Sequence, residues 1–307
     1  MDDPIALASA VVARALAGER PRPIVRSFFD APTFTATYVV HDPATLRAAI
    51  IDSVLDFDAA SGRTGTSAAD AVLAYVASEG LVVDWLFETH VHADHLSAAP
   101  YLQQRLGGKL AIGSAIVEVQ TIFGTLFNAG TEFERDGSQF DLLLKDGDTL
   151  AIGQLEVTML HVPGHTPADM AFVVGDAVFC GDTLFMPDYG TARADFPGGD
   201  ARSLYRSIRR LLLLPAQARL FLCHDYKAPG RDTFVWETTI GDENSANVHV
   251  HQGVSEEDFV TMRIARDATL SMPRLILPAV QVNMRAGHLP PAENNGVHYL
   301  KIPLNTL

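Results

Sequence analysis

Two cysteines in 307 residues, Cys180 and Cys223, are too few for a disulfide framework, so the fold has to rest on its apolar core. Free cysteines are commonly buried, and both read as small core residues; persulfide chemistry on a protein thiol is the sharper alternative. No apolar run reaches the ~18 residues a membrane-spanning helix needs. Positive charge is scarce: 23 Lys and Arg stand against 37 Asp and Glu, a formal net charge of −14. That balance argues against nucleic acid and anionic membranes as partners. It also means that an anionic substrate needs a locally basic pocket. The opening Met1-Asp2-Asp3-Pro4 lacks the positive start of a secretory leader, and Arg14 interrupts the apolar run over 5–18. A cytoplasmic protein beginning with a short helix is expected. Low-complexity segments and short-period repeats are missing as well. What remains, 48% apolar and 20% charged residues, is the composition of a globular protein with ample material for a core.

The densest chemistry lies in Glu88-Thr89-His90-Val91-His92-Ala93-Asp94-His95-Leu96. Three histidines and an aspartate fall within six positions, directly after the apolar run 81–87, which reads as a buried strand. Residues 96–106 read as a helix, with Leu96, Tyr101, Leu102 and Leu106 as its apolar members. A strand-to-helix turn can aim alternate side chains at one point, where a regular strand sends them to opposite faces. Imidazole and carboxylate are the ligand types that suit zinc and iron. The ordinary alternative is a solvated loop with Asp94 capping the helix. It accounts for one His-x-His but not for the whole spacing. Three more such residues follow apolar runs that end in turns: His165 in Pro163-Gly164-His165-Thr166, Asp182 in Cys180-Gly181-Asp182-Thr183, and His224 in Cys223-His224-Asp225-Tyr226. Each alone is more often structural; together, at strand ends, they make a metal site. Seven such groups can hold two zinc ions sharing Asp182, with a bridging water as nucleophile. Alternatively, His90, His165 and Asp182 form a facial triad on one Fe(II), with positions left for a sulfur donor and O2. The ligand set alone does not choose.

Elsewhere, 34–41 and 48–52 read as an opening strand pair, and 56–65 as a polar surface loop. Residues 66–80 read as a helix with a capping-box-like pair at Ser67 and Asp70, closed by Gly80. A short strand at 109–112, a helix at 117–127 and an exposed loop at 128–137 follow. Strand signals return at 150–152, 155–162, 171–174 and 177–180, and 200–214 is a helix burying Leu204, Ile208, Leu211 and Leu212. Ser255-Glu256-Glu257-Asp258 opens a further helix carrying Phe259, Met262 and Ile264. The segments 275–282 and 298–302 are apolar enough to bury. Two β-α halves either side of about residue 150 suggest two sheets packed together. The expected units are an amino-terminal helix (1–20), a main domain (21–229) and an appendage packed on it (230–307).

The spacing of the seven residues resembles the metallo-β-lactamase superfamily. That resemblance implies an α+β fold, an αββα four-layer sandwich. The segments 88–96, 181–199 (with Arg193-Ala194-Asp195-Phe196), 224–226 and Gln281-Val282-Asn283-Met284-Arg285-Ala286-Gly287 closely resemble the persulfide dioxygenases, over about residues 24–307. Glyoxalase II shares the histidine stretch but differs where His224-Asp225-Tyr226 stands and in its carboxy-terminal domain. The resemblance implies oxidation of glutathione persulfide by O2 to glutathione and sulfite, on one Fe(II) per chain held at His90, His165 and Asp182. His92, Asp94, His95 and His224 then act around the metal as catalytic partners. Glutathione contacts match Thr166, Arg193 and Tyr226, with Arg231 a further candidate for a carboxylate. A dinuclear zinc hydrolase of a glutathione thioester is the alternative. A homodimer is expected because family members are commonly dimeric. Ser53, where relatives often carry Pro, is a departure.

Overall fold

The structure, a computed structural model, describes residues 3–306. Met1, Asp2 and Leu307, at the ends of the two outer units expected above, lie outside the described residues. In chain order, α1 (Pro4–Leu16) precedes β1 (Ile24–Asp30), β2 (Thr35–His41), β3 (Arg47–Ile51), β4 (Val54–Asp58) and β5 (Arg63–Gly65). Then come α2 (Ser67–Ser78), β6 (Val82–Phe87), β7 (Leu96–Ser97), α3 (Ala99–Leu106), β8 (Lys109–Gly113), α4 (Ile116–Leu126) and β9 (Leu142–Leu144). The second half holds β10 (Thr149–Ile152), β11 (Leu155–His161), β12 (Met170–Val174), β13 (Ala177–Phe179), α5 (Ala201–Leu211), β14 (Arg219–Phe221) and β15 (Glu237–Thr239). It ends on α6 (Ile240–Ala246), α7 (Glu256–Asp267) and α8 (Ile276–Asn283).

Two six-stranded sheets result, ordered β1-β2-β3-β6-β8-β9 and β10-β11-β12-β13-β14-β15, beside a small sheet β5-β4-β7. Strand periodicity explains the layering. All seven residues of β2 are buried. Tyr38 and Val40 face the second sheet, meeting Phe172 and Phe179, while Val39 faces Val72 and Val76 of α2. Phe87 and Phe172 stack between the sheets with ring centres 4.8 Å apart. On the far side, Val173, Val178 and Leu220 pack on Val12 of α1 and on Leu204, Ile208 and Leu211 of α5. The layers are therefore helix, sheet, sheet, helix, an α+β sandwich. Each fully buried Leu, Ile or Phe contributes about 1.5–3 kcal/mol, so strands covered on both faces carry much of the stability. Among the described residues no helix is long and apolar enough to cross a membrane.

Several local expectations are corrected. The helix after the histidine stretch begins at Ala99, because Leu96 and Ser97 pair with Leu55 and Val54 instead. Asp94 therefore caps nothing. The polar run 56–65 is a hairpin, β4 with β5. Its Asp56 carboxylate accepts from Ser67 N and Ala68 N, so α2 is capped from another element and Ser67 is not its cap. The first sheet begins with β1, paired along its whole length with β2, where no strand was expected. The loop after α4 is not wholly exposed, since Phe133 is buried against the helical layer. On α7 the buried face runs through Phe259, Arg263 and Asp267, and Ile264 is 61% exposed. The terminal stretch stays open: Tyr299 is 47% and Ile302 68% exposed.

Candidate metal centre

The ligand-type residues all leave the ends of core strands. The loop between β6 and β7 carries His90, His92, Asp94 and His95; His165 follows β11, Asp182 follows β13 and His224 follows β14. Small residues let these loops approach one another. A Cβ on Gly164 would lie 2.3 Å from Leu204 Cα, and one on Gly181 would lie 2.7 Å from Thr89 Oγ1. Side chains there would push the loops apart.

His90, His165 and Asp182, all buried, bring one ligand atom each to within 4.8 Å of one another. Second contacts set which ring nitrogen faces inward. His165 Nδ1 donates to Arg193 O at 2.9 Å, leaving Nε2 to face Asp182 at 3.6 Å. His224 Nδ1 faces Phe34 O at 3.1 Å, and its Nε2 lies 3.2 Å from Asp182 and 3.5 Å from Asp94. His92 is turned the other way: Nε2 meets Asp52 at 3.0 Å and Glu88 at 3.3 Å. His95 Nδ1 sits against Asp94 and Thr35 Oγ1, at 3.2 and 3.3 Å.

This leaves a set of buried atoms with no hydrogen-bond partner among the described residues: His90 Nε2, His92 Nδ1, His95 Nε2, His224 Nε2 and Asp182 Oδ1. Buried polar atoms are rarely left unpaired, because each costs ~1–3 kcal/mol. Inward-facing imidazole nitrogens beside a carboxylate fit a bound metal ion. Protonation favours the same conclusion for His90. Burial, reinforced by the neighbouring His92 and His165, holds it well below its ordinary pKa, so it is neutral with a lone pair to give.

A cavity of about 440 Å³ opens over Asp94, His165 and Asp182. Its wall includes Phe34, Phe185, Tyr189 and Tyr226, with Tyr226 5.4 Å from Tyr189 between ring centres. Of the residues expected to touch substrate, Arg193 and Tyr226 line this cavity. Arg193 is not a free fork, however: Nε and Nη2 bond Asp195 at 2.6 and 2.8 Å, and Nη1 donates to Ser271 O. Thr166 is turned onto Asp169 through both its N–H and its hydroxyl. Arg231 is placed outside the cavity lining and is held by Asp188 and Asp225, with Nη2 at 3.0 and 2.8 Å. Three supporting residues went unassigned in the sequence. Asp52 accepts from Thr89 N and Thr89 Oγ1, both at 2.8 Å, as well as meeting His92. Glu88 accepts from Ser97 Oγ at 2.6 Å. Asn283, on α8, donates to His92 O and His95 O at 2.9 and 2.7 Å and accepts from Ser97 N. The only prior signal for Asn283 was its place in the 281–287 segment.

Known proteins give the same site a family context. The Metallo-beta-lactamase superfamily profile matches residues 31–224. A probable metallo-hydrolase of Burkholderia pseudomallei (strain 1710b) is 59% identical over 293 residues, 92% of this chain and 99% of that one. Glyoxylase B2 of Dictyostelium discoideum is 44% identical, covering 92% of this chain and 97% of its own. The mitochondrial persulfide dioxygenase ETHE1 of Homo sapiens is 30% identical over 267 residues, 86% of this chain and 89% of that one. The crystal structure of ETHE1 from Myxococcus xanthus superposes with a TM-score of 0.68 at 33% identity, over 86% of this chain and 100% of that one. The chain spans 65% of the length of the beta-lactamase hydrolase-like protein of Agrobacterium fabrum, with which it is 53% identical over 285 residues.

Proposed function

The chain belongs to the metallo-beta-lactamase superfamily, and from that premise we propose that it is a persulfide dioxygenase. In this reading glutathione persulfide, O2 and water become glutathione, sulfite and two protons. The observation that carries it is the convergence of two imidazoles and one carboxylate, His90, His165 and Asp182, beneath a cavity walled by aromatic residues. A single Fe(II) on that triad would supply a redox-active centre with free positions for the persulfide sulfur and O2.

The remaining residues take roles that follow from their contacts. Arg193 O orients His165, and Phe34 O orients His224. Asp52 and Glu88 fix the ring of His92, and Thr35 holds Asp94 with His95. His224 Nε2, facing both Asp182 and Asp94, is placed to hold and release a proton beside the triad. Tyr226 and Arg193 border the substrate, while Thr166 and Arg231 act from behind, stiffening the loops that carry them. The setting is cytoplasmic, in keeping with two unpaired, buried cysteines.

A second reading is a dinuclear zinc hydrolase of a glutathione thioester. The unpartnered nitrogens of His92, His95 and His224 favour it, as do the names of the more similar relatives, a probable metallo-hydrolase and a glyoxylase. The two are separated by adding each substrate to the metal-loaded protein. Oxygen uptake with glutathione persulfide supports the dioxygenase; thioester hydrolysis without oxygen uptake overturns it.

A further inference from the structure

Four arginines line the cavity above the triad: Arg193, Arg263, Arg266 and Arg274. Two are already engaged. Arg193 is spent on Asp195 and Ser271 O, as described. Arg263 is buried, pairs with Asp267 at 2.7 Å and donates to Thr191 O at 3.1 Å. Arg266 and Arg274 are different. Both are exposed, and among the described residues neither takes part in an ion pair or a side-chain hydrogen bond. In a chain carrying 37 acidic residues against 23 basic ones, that leaves two uncommitted guanidinium groups on a cavity whose acidic lining residues are Asp94 and Asp182.

The charge of Arg266 reaches a group in the cavity wall. His249 accepts from Thr191 N in the cavity wall at 3.1 Å. Burial, followed by the charges of Arg263 and Arg266, holds its imidazole down to about 4. Arg266 sits in the last turn of α7 with its guanidinium 5.9 Å from the ring centre of Tyr189. Arg274 borders both this cavity and an adjoining groove against the β4–β5 hairpin. That groove is lined by Asp30, Asp56 and Asp58, three carboxylates that disfavour an anion there.

We propose that Arg266 and Arg274 are the carboxylate-recognition pair of this site. They receive a carboxylate of the carrier thiol that lies remote from its sulfur. They thereby select a carrier of glutathione's length over a shorter persulfide. A guanidinium fork suits this task, since it meets a carboxylate bidentately. The inference rests on the reading of the substrate as borne by glutathione. It is indifferent to the metal, because the persulfide and the thioester share the same tripeptide.

The test is glutathione binding, measured by titration calorimetry on metal-loaded protein, for wild type, Arg266→Ala, Arg274→Ala and the double variant. Each alanine should weaken binding roughly ten-fold, as loss of a charge-assisted hydrogen bond does. In turnover the loss should fall on KM for glutathione persulfide rather than on kcat. It should lower kcat/KM for glutathione persulfide relative to cysteine persulfide. Arg→Lys at either position should recover part of it. If wild type binds glutathione and the alanine variants bind it equally well, the proposal is overturned and the glutathione reading stands. If wild type does not bind glutathione, both fall. If the variants lose binding while the iron-loaded enzyme consumes no O2, the dioxygenase reading falls and the arginine pair stands.

Discussion

Asp52 shows how much of the centre's geometry hangs on one carboxylate. It lies 2% exposed just beyond β3 and gathers Thr89 N, Thr89 Oγ1 and His92 Nε2 around two oxygens. Burial alone would raise its pKa, but His92 and the two Thr89 donors hold it below the ordinary value, so it is ionised. Asp52→Asn keeps the volume and loosens the hold on Thr89, whose Oγ1 lies 3.0 Å from Nδ1 of the ligand His90. Metal affinity should fall ~10–100-fold, read by competition with a chelator; an unchanged affinity contradicts the assignment. Glu243 is the opposite kind of group. Burial above all pushes its carboxyl up to about 8, so the folded protein prefers the neutral acid. The unfolded chain releases that proton near pH ~4.3. Below that pH both states hold the proton. As pH rises from there toward about 8, holding it costs the folded state stability progressively. Glu243→Gln does not titrate. Its melting temperature relative to wild type should therefore climb between pH 5 and pH 8, and a constant difference would show that Glu243 is not buried as a neutral acid.

Among the elements, α8 has the least conspicuous sequence and a direct hold on the metal loop. Asn283 bridges His92 O, His95 O and Ser97 N across contacts separated by up to 191 residues in the chain. Asn283→Ala strands three buried backbone groups, each worth ~1–3 kcal/mol when unpaired. The expected outcome is a lowered melting temperature together with weaker metal retention. Full retention at unchanged stability would mean that the loop is held elsewhere. That contact also marks the limit of what the sequence made legible. The strands β6, β11, β12 and β13 and the helix α5 were readable because periodicity and a following turn are local signals. The seven metal-motif residues were readable because short spacing implies a shared turn. The hairpin β4–β5 was not: Asp56, Asp58 and Gly65 make it polar, and its stability comes from β7 and from capping α2. Asp52 and Asn283 have no local signature, since their partners come from distant segments. The engagement of Arg193 with Asp195 was hidden for a different reason, because two residues apart in a loop nothing fixes whether two charges meet.

At the scale of the whole molecule, two covered sheets bring strand ends from both halves to one rim, and the proposed metal triad draws from each half: His90 from the first, His165 and Asp182 from the second. A strongly acidic chain then concentrates arginine around the cavity above it. The central claim is that this triad works with a metal able to change oxidation state. Zinc binds imidazole and carboxylate in the same places but has no redox chemistry. The most direct test therefore loads the protein separately with iron and with zinc, measures metal per chain by elemental analysis, and follows O2 consumption on addition of glutathione persulfide. The account predicts about one iron per chain with sulfite formed as O2 is consumed, and no uptake by the zinc form despite an unchanged fold. Thioester hydrolysis by the zinc form, with no oxygen uptake by the iron form, would contradict it.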